Sequence, residues 1–440
     1  SYGGNHDDQI LMDMVFNLYN FVQSSPWPEK KLEEMAEALN LPEGTDFSHT
    51  PWGRTLLVTA RLELEGLREM AGKAMAISRE SNGLEKYIPV LQEDYDRIDG
   101  MVQLISEALP EHEGSCRKPV WDQVYLQLQG MAFSRMPRLG KDADITAQET
   151  VKRLRDDVKA GIRKLRERIF TDSSEQIVRD LRGLFPRMRC LAGLASELSA
   201  KYKEKKARKS LVDFNDLEHL CLELLIEKYE NGKPCPSPTA RAYRERFVEI
   251  MVDEYQDSNM VQELIIRMIS RVDEEKPNIF MVGDVKQSIY RFRQACPELF
   301  MEKYNSYSPQ KGEPYRKILL YKNFRSRREV IDAVNFLFGQ IMSRQVGELD
   351  YTDAEALHPG ADYQEVHDAK VLVGGEAELH LIQTGDGDVE RPVDAETKDA
   401  GDGENEDEEE LDSIQCEARI IARRIKELLT PDEEGRIYSV

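Results

Sequence analysis

Apolar residues in the first 210 positions recur at helical spacing. In the segment that begins at Gln9, one face carries Ile10, Met14, Leu18 and Phe21, because residues three or four positions apart share a face of a helix. The same spacing predicts further helices over 56–77, 87–108, 121–131, 147–170 and 175–206. Breaks that contain proline or glycine separate them. This part of the chain is therefore predicted to be a helical bundle.

The pattern changes after position 210. Asp213 and Asp216 have the spacing of a helix N-cap and its partner. The helix that follows them is predicted to be amphipathic, and its apolar positions are Phe214, Leu217, Leu220 and Leu224.

Short apolar runs then alternate with helices. Residues 248–252 and 279–282 form runs of strand length, and a helix is predicted between them over 262–271. Two further strands and the helix between them are predicted over 318–320, 377–382 and 328–342. Short buried strands that alternate with helices indicate a parallel α/β sheet.

Composition excludes two broad classes of protein. Hydrophobic residues make up 40% of the 440 positions and charged residues 32%, which argues against a membrane protein and against global disorder. No apolar run reaches the roughly 18 residues that a membrane-spanning helix needs, and the first residues lack the pattern of a secretory signal. The six cysteines show no Cys-x-x-Cys spacing, so we expect reduced thiols in a cytoplasmic protein.

The net charge of −22 is unevenly distributed along the chain. Residues 386–412 hold 14 acidic and 2 basic side chains and no aromatic residue, a composition typical of a disordered acidic loop. Residues 152–209 hold 18 basic and 8 acidic side chains. This local excess of positive charge allows a polyanionic partner, which the charge of the whole chain would not suggest.

Two carboxylates, Asp253 and Glu254, follow the first predicted strand directly. An apolar strand that ends in Asp-Glu is the Walker B arrangement, in which one carboxylate holds magnesium and the other orients the water that attacks a phosphate. The alternative is an acidic helix N-terminus that is favoured by the helix dipole.

A second group of polar residues follows the next strand. Gln287 lies just beyond it, where a glutamine can reach a terminal phosphate, and Tyr290 and Phe292 alternate with Arg291 and Arg293. Aromatic rings can stack on bases and guanidinium groups can contact phosphates, which suits single-stranded nucleic acid. The alternative is an amphipathic sheet edge with an aromatic core stripe.

A third element, Lys322–Ser326, follows another predicted strand. Its arginine, Arg325, can stabilise negative charge that develops on a transferred phosphate.

These elements resemble the motifs of a known family. Residues 251–257, 282–293 and 322–326 resemble, in this order, motifs II, III and IV of superfamily 1 helicases of the UvrD/Rep-like group. The sequence Phe-Asn-Asp-Leu at 214–217 looks like an element that precedes motif II there. Within the group, residues 290–300 are similar to the helicase–nuclease A subunits of AddAB-type enzymes, which repair double-strand breaks. The segments 1–8 and 347–361 fit the same subunits.

The resemblance implies a role for each matching position. Asp253 would hold Mg²⁺ and Glu254 would activate water. Gln287 would sense the terminal phosphate of ATP and couple it to DNA, Arg325 would contact that phosphate, and Phe324 would pack on the adenine.

The resemblance also implies that Tyr290, Phe292 and Arg293 contact single-stranded DNA. The sequence departs from the family at two positions here. Phe292 stands where many relatives have tryptophan, which keeps a stacking face, and Gln294 stands where many have glycine.

A helicase of this type needs a P-loop, Gly-x-x-x-x-Gly-Lys-Ser/Thr, to bind phosphates. The nearest string, Gly66–Ala74, has one residue too many, lacks the hydroxyl residue and falls within a predicted helix. The second arginine motif and the nuclease of the family are also not found. We therefore expect the chain to be the central piece of a longer polypeptide that is inactive alone, with no ATP or Mg²⁺ bound.

The sequence thus predicts an α/β, mostly helical protein with partial RecA-like P-loop NTPase domains and a large helical insertion. The insertion, of the 1B type, would cover 1–210. The second half of the first RecA-like domain would cover 211–310, and the start of the second would cover 311–440 with the acidic loop.

The intact protein is expected to be an ATP-dependent DNA helicase that processes double-strand breaks together with a nuclease. Its partners would be single- and double-stranded DNA and a nuclease-containing B subunit, with no membrane, in the cytoplasm at the nucleoid. Two alternatives stay open: a stand-alone UvrD-type repair helicase, and a non-catalytic scaffold protein with a degenerate helicase fold.

Overall fold

The computed structural model describes residues 8–109, 116–140, 142–230, 232–274, 276–347, 349–363, 371–372, 375, 377–382, 413–431 and 435–438. The chain folds as two compact units. The first unit comprises Ser1–Ala242 and Asn259–Ile269, and the second comprises Tyr243–Ser258 and Ser270–Val440. The acidic loop predicted at 386–412 lies outside the described residues.

The first unit begins with a series of helices: α1 (Gln9–Val22), α2 (Pro28–Glu37), α3 (Pro51–Glu80), α4 (Ile88–Ala108), α5 (Trp121–Gly130), α6 (Ile145–Arg168) and α7 (Ser174–Arg208). They confirm the helices predicted for this part of the chain, and α2 is an addition to them. Side chains cap several of their N-termini. The Thr50 hydroxyl accepts from the Gly53 N–H, and Asp144 accepts from the Ala147 N–H, which satisfies amides that have no partner within the helix.

The core of this helical part is centred on Trp121, which is fully buried. Its ring contacts Phe47 edge-on at 4.7 Å and Phe170 at 4.6 Å between centroids, and its Nε1 donates to the Asp172 carbonyl at 3.1 Å. A buried tryptophan needs apolar neighbours for its ring and a hydrogen-bond partner for its one polar atom, and Trp121 has both. Helix α3 packs along α4 and α6 around this core.

A buried ion pair joins α4 to α6. Arg155 Nε lies 2.7 Å from Asp94 Oδ2, and both side chains are almost completely buried. The same guanidinium donates to the Ser134 carbonyl at 2.8 Å. A buried charge pair is tolerated when its remaining donors find acceptors in this way.

Helix α1 packs with only part of its predicted face, because Leu18 packs against the core and the rest of that face does not. Ile10 is 62% exposed, and Met14 and Phe21 also lie at the surface, whereas Tyr19 and Val22 are buried. Helix α1 carries apolar residues on more than one of its faces, so helical periodicity alone cannot show which face packs against the core. The tertiary neighbours select it, because Val22 packs with residues of α2 and α7.

The chain continues with α8 (Phe214–Leu225), β1 (Ile226–Glu230), β2 (Lys233–Pro236) and α9 (Pro238–Arg246). Asp213 and Asp216 form a complete capping box at the start of α8, as predicted. Lys206, in the last turn of α7, lies 2.8 Å from Asp213 Oδ2 and 2.6 Å from Asp216 Oδ2. The cap thereby also fixes the α7–α8 connection.

The predicted apolar face of α8 does not pack against the core. Phe214 is 87% exposed and Leu224 is 66% exposed, while Leu222 and Leu225 are buried. The buried pair packs against α10. The helix was predicted correctly and its buried face was not.

The remaining elements are β3 (Ile250–Val252), α10 (Met260–Ile269), β4 (Ile279–Met281), α11 (Pro297–Ser306), β5 (Lys322–Asn323), α12 (Arg328–Ile341), α13 (Arg344–Gly347), β6 (His358–Pro359), β7 (Val371–Leu372), α14 (Ser413–Leu429) and β8 (Ile437–Tyr438). Strands β1 and β2 pair antiparallel, whereas β3 with β4, β5 with β6 and β7 with β8 pair in parallel. The parallel pairing predicted for the two strands around the candidate site is confirmed.

Two predicted strands are wrong. Residues 318–320 have no regular structure, and the ladder begins two residues later, where Lys322 pairs with His358. Residues 377–382 are also irregular. Leu379 and Leu381 are 85% and 86% exposed there, so the alternation of apolar residues has no core to pack against.

Within the described part of the chain, no helix is long and apolar enough to cross a membrane. All six cysteines are free thiols.

Candidate functional site

The carboxyl ends of two parallel strands form the centre of the candidate site. Beyond the β3–β4 ladder, the Val282 N–H donates to the Val252 carbonyl at 2.8 Å, and the Tyr255 N–H donates to the Val282 carbonyl at 2.9 Å. Parallel strands end at the same edge of a sheet. The segments that follow them, 253–257 and 283–287, therefore lie side by side.

Asp253 and Glu254 follow β3 directly, and both side chains are exposed. The Glu254 backbone is left-handed, with φ 49° and ψ 42°, and its N–H donates to Asp253 Oδ1 at 3.0 Å. A residue with a Cβ in a sparsely populated conformation costs on the order of 1–3 kcal/mol, and such residues concentrate at functional sites. The contacts around the two carboxylates must therefore maintain this turn.

The Gln256 side chain is buried and bridges the two segments. Its Nε2 donates to Glu254 Oε2 at 2.7 Å, and its Oε1 accepts from the Asp284 N–H at 3.0 Å. Gly283 makes this approach possible, because a Cβ there would lie 2.5 Å from the amide oxygen and 2.9 Å from the ring of Phe300.

Asp284 organises the turn after β4. Its Oδ1 accepts from the Lys286 N–H at 3.1 Å and lies 2.9 Å from Lys286 Nζ. Its Oδ2 accepts from Gln287 Nε2 at 3.0 Å. The structure thus connects two predicted site residues, Glu254 and Gln287, through Gln256 and Asp284.

Asp257 is a third carboxylate of the segment after β3. Burial raises the pKa of Asp257, and the negative charge of Glu254 raises it further. Its Oδ1 is buried without a hydrogen-bond partner, while its Oδ2 lies 3.5 Å from Gln256 Nε2. The two exposed carboxylates therefore have a neighbour that is harder to ionise.

Tyr290, Phe292 and Arg293 form one exposed cluster. The two ring centroids are 5.9 Å apart, and the Arg293 guanidinium lies 5.1 Å from the Tyr290 ring and 5.5 Å from the Phe292 ring. Phe292 is 72% exposed. The three side chains offer aromatic faces and a positive charge at one place on the surface.

Gln294 adopts a backbone conformation that favours glycine. Its backbone is left-handed, with φ 65° and ψ 22°, and it ends the short helical turn Arg291–Arg293. Glycine adopts this conformation without a steric penalty, whereas other residues pay roughly 1–2 kcal/mol. The Ala295 N–H and the Arg293 N–H both donate to the Tyr290 carbonyl, at 3.3 and 2.8 Å, so the turn is retained despite the substitution.

The loop after β5 presents Arg325. Asn323 Oδ1 accepts from the Arg325 N–H at 2.9 Å and from the Ser326 N–H at 2.8 Å. The Tyr363 hydroxyl donates to the Arg325 carbonyl at 2.5 Å. The backbone of the loop is therefore held from both sides, and the guanidinium is exposed.

Phe324 is 66% exposed and lies against Gly360. A Cβ at Gly360 would come within 2.8 Å of the Phe324 ring, and the Gly360 N–H donates to the Asn323 carbonyl at 2.7 Å. One face of the ring is thus supported by backbone. Within the described residues, no hydrogen bond, ion pair or ring contact joins Phe324 or Arg325 to the group around Glu254.

The donor set at the end of β3 suits a hard cation. Asp253 supplies an exposed carboxylate beside that of Glu254, and Mg²⁺ prefers one or two carboxylates together with water and phosphate oxygens. By contrast, the P-loop-like string Gly66–Ala74 lies inside α3. Helical amides are already bonded within the helix, so this string offers no phosphate cradle, as the sequence indicated.

Sequence reasoning missed several residues that hold the site together: Gln256, Gly283, Asp284, Lys286, Asn323 and Tyr363. Gln256 and Asp284 both lie within the segments that resemble helicase motifs, so the motifs themselves were the signal that could have pointed to these two residues. Nothing in the sequence around either residue shows that the Gln256 side chain binds the Asp284 backbone.

Comparison with known proteins identifies the relatives of this chain. Residues 91–308 match the family model of the UvrD/Rep helicase N-terminal domain. The whole chain is 58% identical to part of the A subunit of the ATP-dependent helicase/nuclease of Acetivibrio thermocellus and 48% identical to part of that of Ruminiclostridium cellulolyticum, and it covers 35% and 34% of those proteins. A 42% identity covers 97% of this chain and 32% of the Clostridium acetobutylicum protein of the same name.

These matches confirm the resemblance to UvrD/Rep-like helicases and, among them, to the helicase/nuclease A subunits. The chain spans about a third of the length of the relatives it matches. Its mostly helical fold with few strands is consistent with a UvrD-like helicase domain. The roles of individual residues stay predictions.

Replacement of Gln294 by glycine tests the strain in the turn. Gln294→Gly is expected to increase the free energy of unfolding by about 0.5–1 kcal/mol, because relief of the left-handed strain outweighs the entropy that the unfolded chain gains. The measurement is equilibrium unfolding in urea. The matched control is Gln127→Gly in the exposed face of α5, which should decrease stability by about 1 kcal/mol. Equal destabilisation by both substitutions would show that Gln294 is not strained.

Proposed function

We propose that the full-length protein containing this chain is an ATP-driven DNA helicase that processes double-strand breaks together with a nuclease. The observation that carries the proposal is the hydrogen-bonded connection between Glu254 and Gln287 across β3 and β4. A catalytic carboxylate and a phosphate-sensing glutamine need to share one sheet edge. The similarity to helicase/nuclease A subunits along the entire chain supports the same assignment.

In this proposal, Asp253 holds Mg²⁺ through its exposed carboxylate. The ion supplies charge neutralisation for the phosphates when it is bound. Glu254 accepts the proton of the attacking water, which requires an ionised carboxylate. Gln256 donates to Glu254 at 2.7 Å, and this hydrogen bond orients the carboxylate.

The residues after β5 complete the nucleotide site. Arg325 contacts the terminal phosphate and stabilises the charge that develops during transfer. Phe324 packs on the adenine with its exposed face, while Gly360 supports the other face. Both roles require the loop after β5 to approach the end of β3 when nucleotide binds.

The exposed cluster of Tyr290, Phe292 and Arg293 binds single-stranded DNA in this proposal. Phe292 exposes 72% of its surface, which supports stacking on a base over burial in a core. Arg293 lies over both rings, where its charge can reach a phosphate. Double-stranded DNA would be the substrate that is unwound.

We also assign the three segments predicted from the sequence to domains. A 1B-type helical insertion covers 1–210, and two partial RecA-like domains cover 211–310 and 311–440. The parallel pairs β3–β4 and β5–β6 support a RecA-like organisation on either side of position 310. A B subunit with a nuclease completes the enzyme in the cytoplasm, at the nucleoid.

The 440-residue chain on its own is expected to bind ATP weakly, because its sequence offers no Gly-x-x-x-x-Gly-Lys-Ser/Thr loop and the loop's amides and lysine supply much of phosphate binding. Titration calorimetry with magnesium-ATP measures this affinity. A low-micromolar dissociation constant that Asp253→Ala abolishes would contradict the expectation.

Glu254→Gln in the full-length gene product is expected to abolish ATP turnover and to retain nucleotide binding. The substitution preserves shape and removes the base, and general base catalysis contributes about 10²–10⁴-fold to the rate. A coupled assay of DNA-stimulated hydrolysis is the measurement, and Glu263→Gln in α10 is the control. Near wild-type turnover of Glu254→Gln would disprove the Walker B assignment.

Phe292→Ala in the full-length gene product is expected to weaken single-strand binding about tenfold or more, since a stacked base contributes roughly 1–3 kcal/mol. Phe292→Trp should bind like the wild type, because it restores a stacking ring. Fluorescence anisotropy with labelled oligonucleotides gives the affinities, and thermal melting is the control. An alanine variant that melts several degrees lower but binds DNA normally would indicate a structural role instead.

A further inference from the structure

The buried Gln256 occupies the junction between the two segments of the site. We propose that Gln256 is a positioning residue that ties the Glu254 carboxylate to the turn 284–287, so that a movement of this turn is transmitted to the carboxylate. The inference rests on the proposed function, and it adds a coupling element that the recognised roles of Glu254 and Gln287 do not include.

The geometry gives Gln256 two bonds of opposite kind. Its Nε2 donates to Glu254 Oε2 at 2.7 Å, and its Oε1 accepts from the Asp284 N–H at 3.0 Å. Only 1% of the residue is exposed, so water cannot replace either bond. A buried polar group that loses its partner is costly, and the amide therefore holds both segments at a fixed separation.

A carboxamide is the side chain that fits this place. One end must donate to a carboxylate and the other must accept from a backbone N–H, and the amide of glutamine offers both. A carboxylate of the same size could accept from Asp284 but could not donate to Glu254 unless it were protonated. A methionine of similar length would satisfy neither segment.

The space for the amide is built into the second segment. A Cβ on Gly283 would lie 2.5 Å from Gln256 Oε1 and 2.9 Å from the ring of Phe300. The ring of Phe300 in turn lies 6.4 Å from that of Tyr255, centroid to centroid. The bridging amide and the ring of Phe300 therefore both occupy the space that a Cβ at Gly283 would need.

The turn that Gln256 contacts leads to the proposed DNA-binding cluster. Asp284 holds Gln287 through its Oδ2 and Lys286 through its Oδ1, and Tyr290 follows three residues after Gln287. DNA that displaces the cluster can displace the turn, and the Asp284 N–H would then pull on Gln256. The catalytic carboxylate would thereby respond to DNA through two hydrogen bonds.

The first variant that tests the inference is Gln256→Glu in the full-length gene product. It keeps the acceptor for Asp284 and places a second carboxylate beside Glu254. An ionised carboxylate cannot donate to Glu254 Oε2, so the variant loses the bond that holds the catalytic carboxylate and keeps the bond to Asp284. Asp257 and the Asp284–Lys286 ion pair are the other charged groups at this place.

The expected result is a fall in DNA-stimulated kcat near neutral pH by on the order of ten- to a hundredfold, the size of effect that a misplaced catalytic group produces. KM for ATP and single-strand affinity should stay at wild-type values. The ratio of kcat with single-stranded DNA to kcat without it should fall as well, because the turn 284–287 is no longer tied to the carboxylate.

Gly283→Ala is the second variant. Its methyl group would displace the amide without adding a charge, so kcat and its stimulation by DNA should fall in this variant too. Gln23→Glu is the matched control, since it adds a carboxylate at another mostly buried glutamine that lies in the first unit. This control should leave both kcat and its stimulation by DNA unchanged.

An equal fall in kcat with and without DNA for Gln256→Glu, together with a lower melting temperature, would overturn the inference in favour of a structural role. Wild-type kinetics in both Gln256→Glu and Gly283→Ala would also overturn it. Absence of DNA-stimulated hydrolysis in the wild type would instead refute the proposed function.

Discussion

The parallel pairing of β3 with β4 is the constraint on which the candidate site depends. Each strand has only three residues, so the ladder itself offers few hydrogen bonds and its ends must be fixed by other groups. At the amino end, the buried Asn278 donates to the Phe247 carbonyl at 2.9 Å and accepts from the Arg271 N–H at 2.7 Å. At the carboxyl end, the Gln256 side chain donates to the Glu254 carboxylate and accepts from the Asp284 N–H. A buried amide at each end thus sets the register that brings the two segments together.

Two residues of the site have a left-handed backbone conformation that fits this arrangement. Glu254, at φ 49°, turns the chain so that Gln256 can reach back into the space above Gly283, and Gln294, at φ 65°, ends the turn that exposes Phe292. Neither position is a glycine, which is the residue that adopts such a conformation freely. Strain of this kind persists only where surrounding contacts enforce it, and both sites have such contacts.

Much of the fold could be predicted from the sequence, but the packing of some of its parts could not. Periodicity located α1 and α8, yet it selected Ile10 and Phe214 for the interior, where Val22 and Leu222 lie instead. Helices that are apolar on several faces leave this choice to their neighbours, which are distant in sequence. The site shows the same limit. The carboxylates at the end of β3 were predicted from local pattern, whereas the bond from Gln256 to Asp284 spans 28 positions and depends on the absence of a side chain at Gly283.

The strongly acidic chain and the proposed contact with DNA are compatible because charge acts locally in salt solution. At physiological ionic strength the screening length is about 8 Å, so a phosphate near Phe292 experiences mainly the charges within one or two side-chain lengths. Arg293 lies 5.1 and 5.5 Å from the two rings of the cluster, whereas Arg291 is engaged by Glu298. The cluster therefore combines one guanidinium with two aromatic rings. Because it offers only this one positive charge, stacking of bases on the rings must supply most of its affinity for DNA. This balance favours single strands, whose bases are accessible, over a duplex, in which they are stacked on one another.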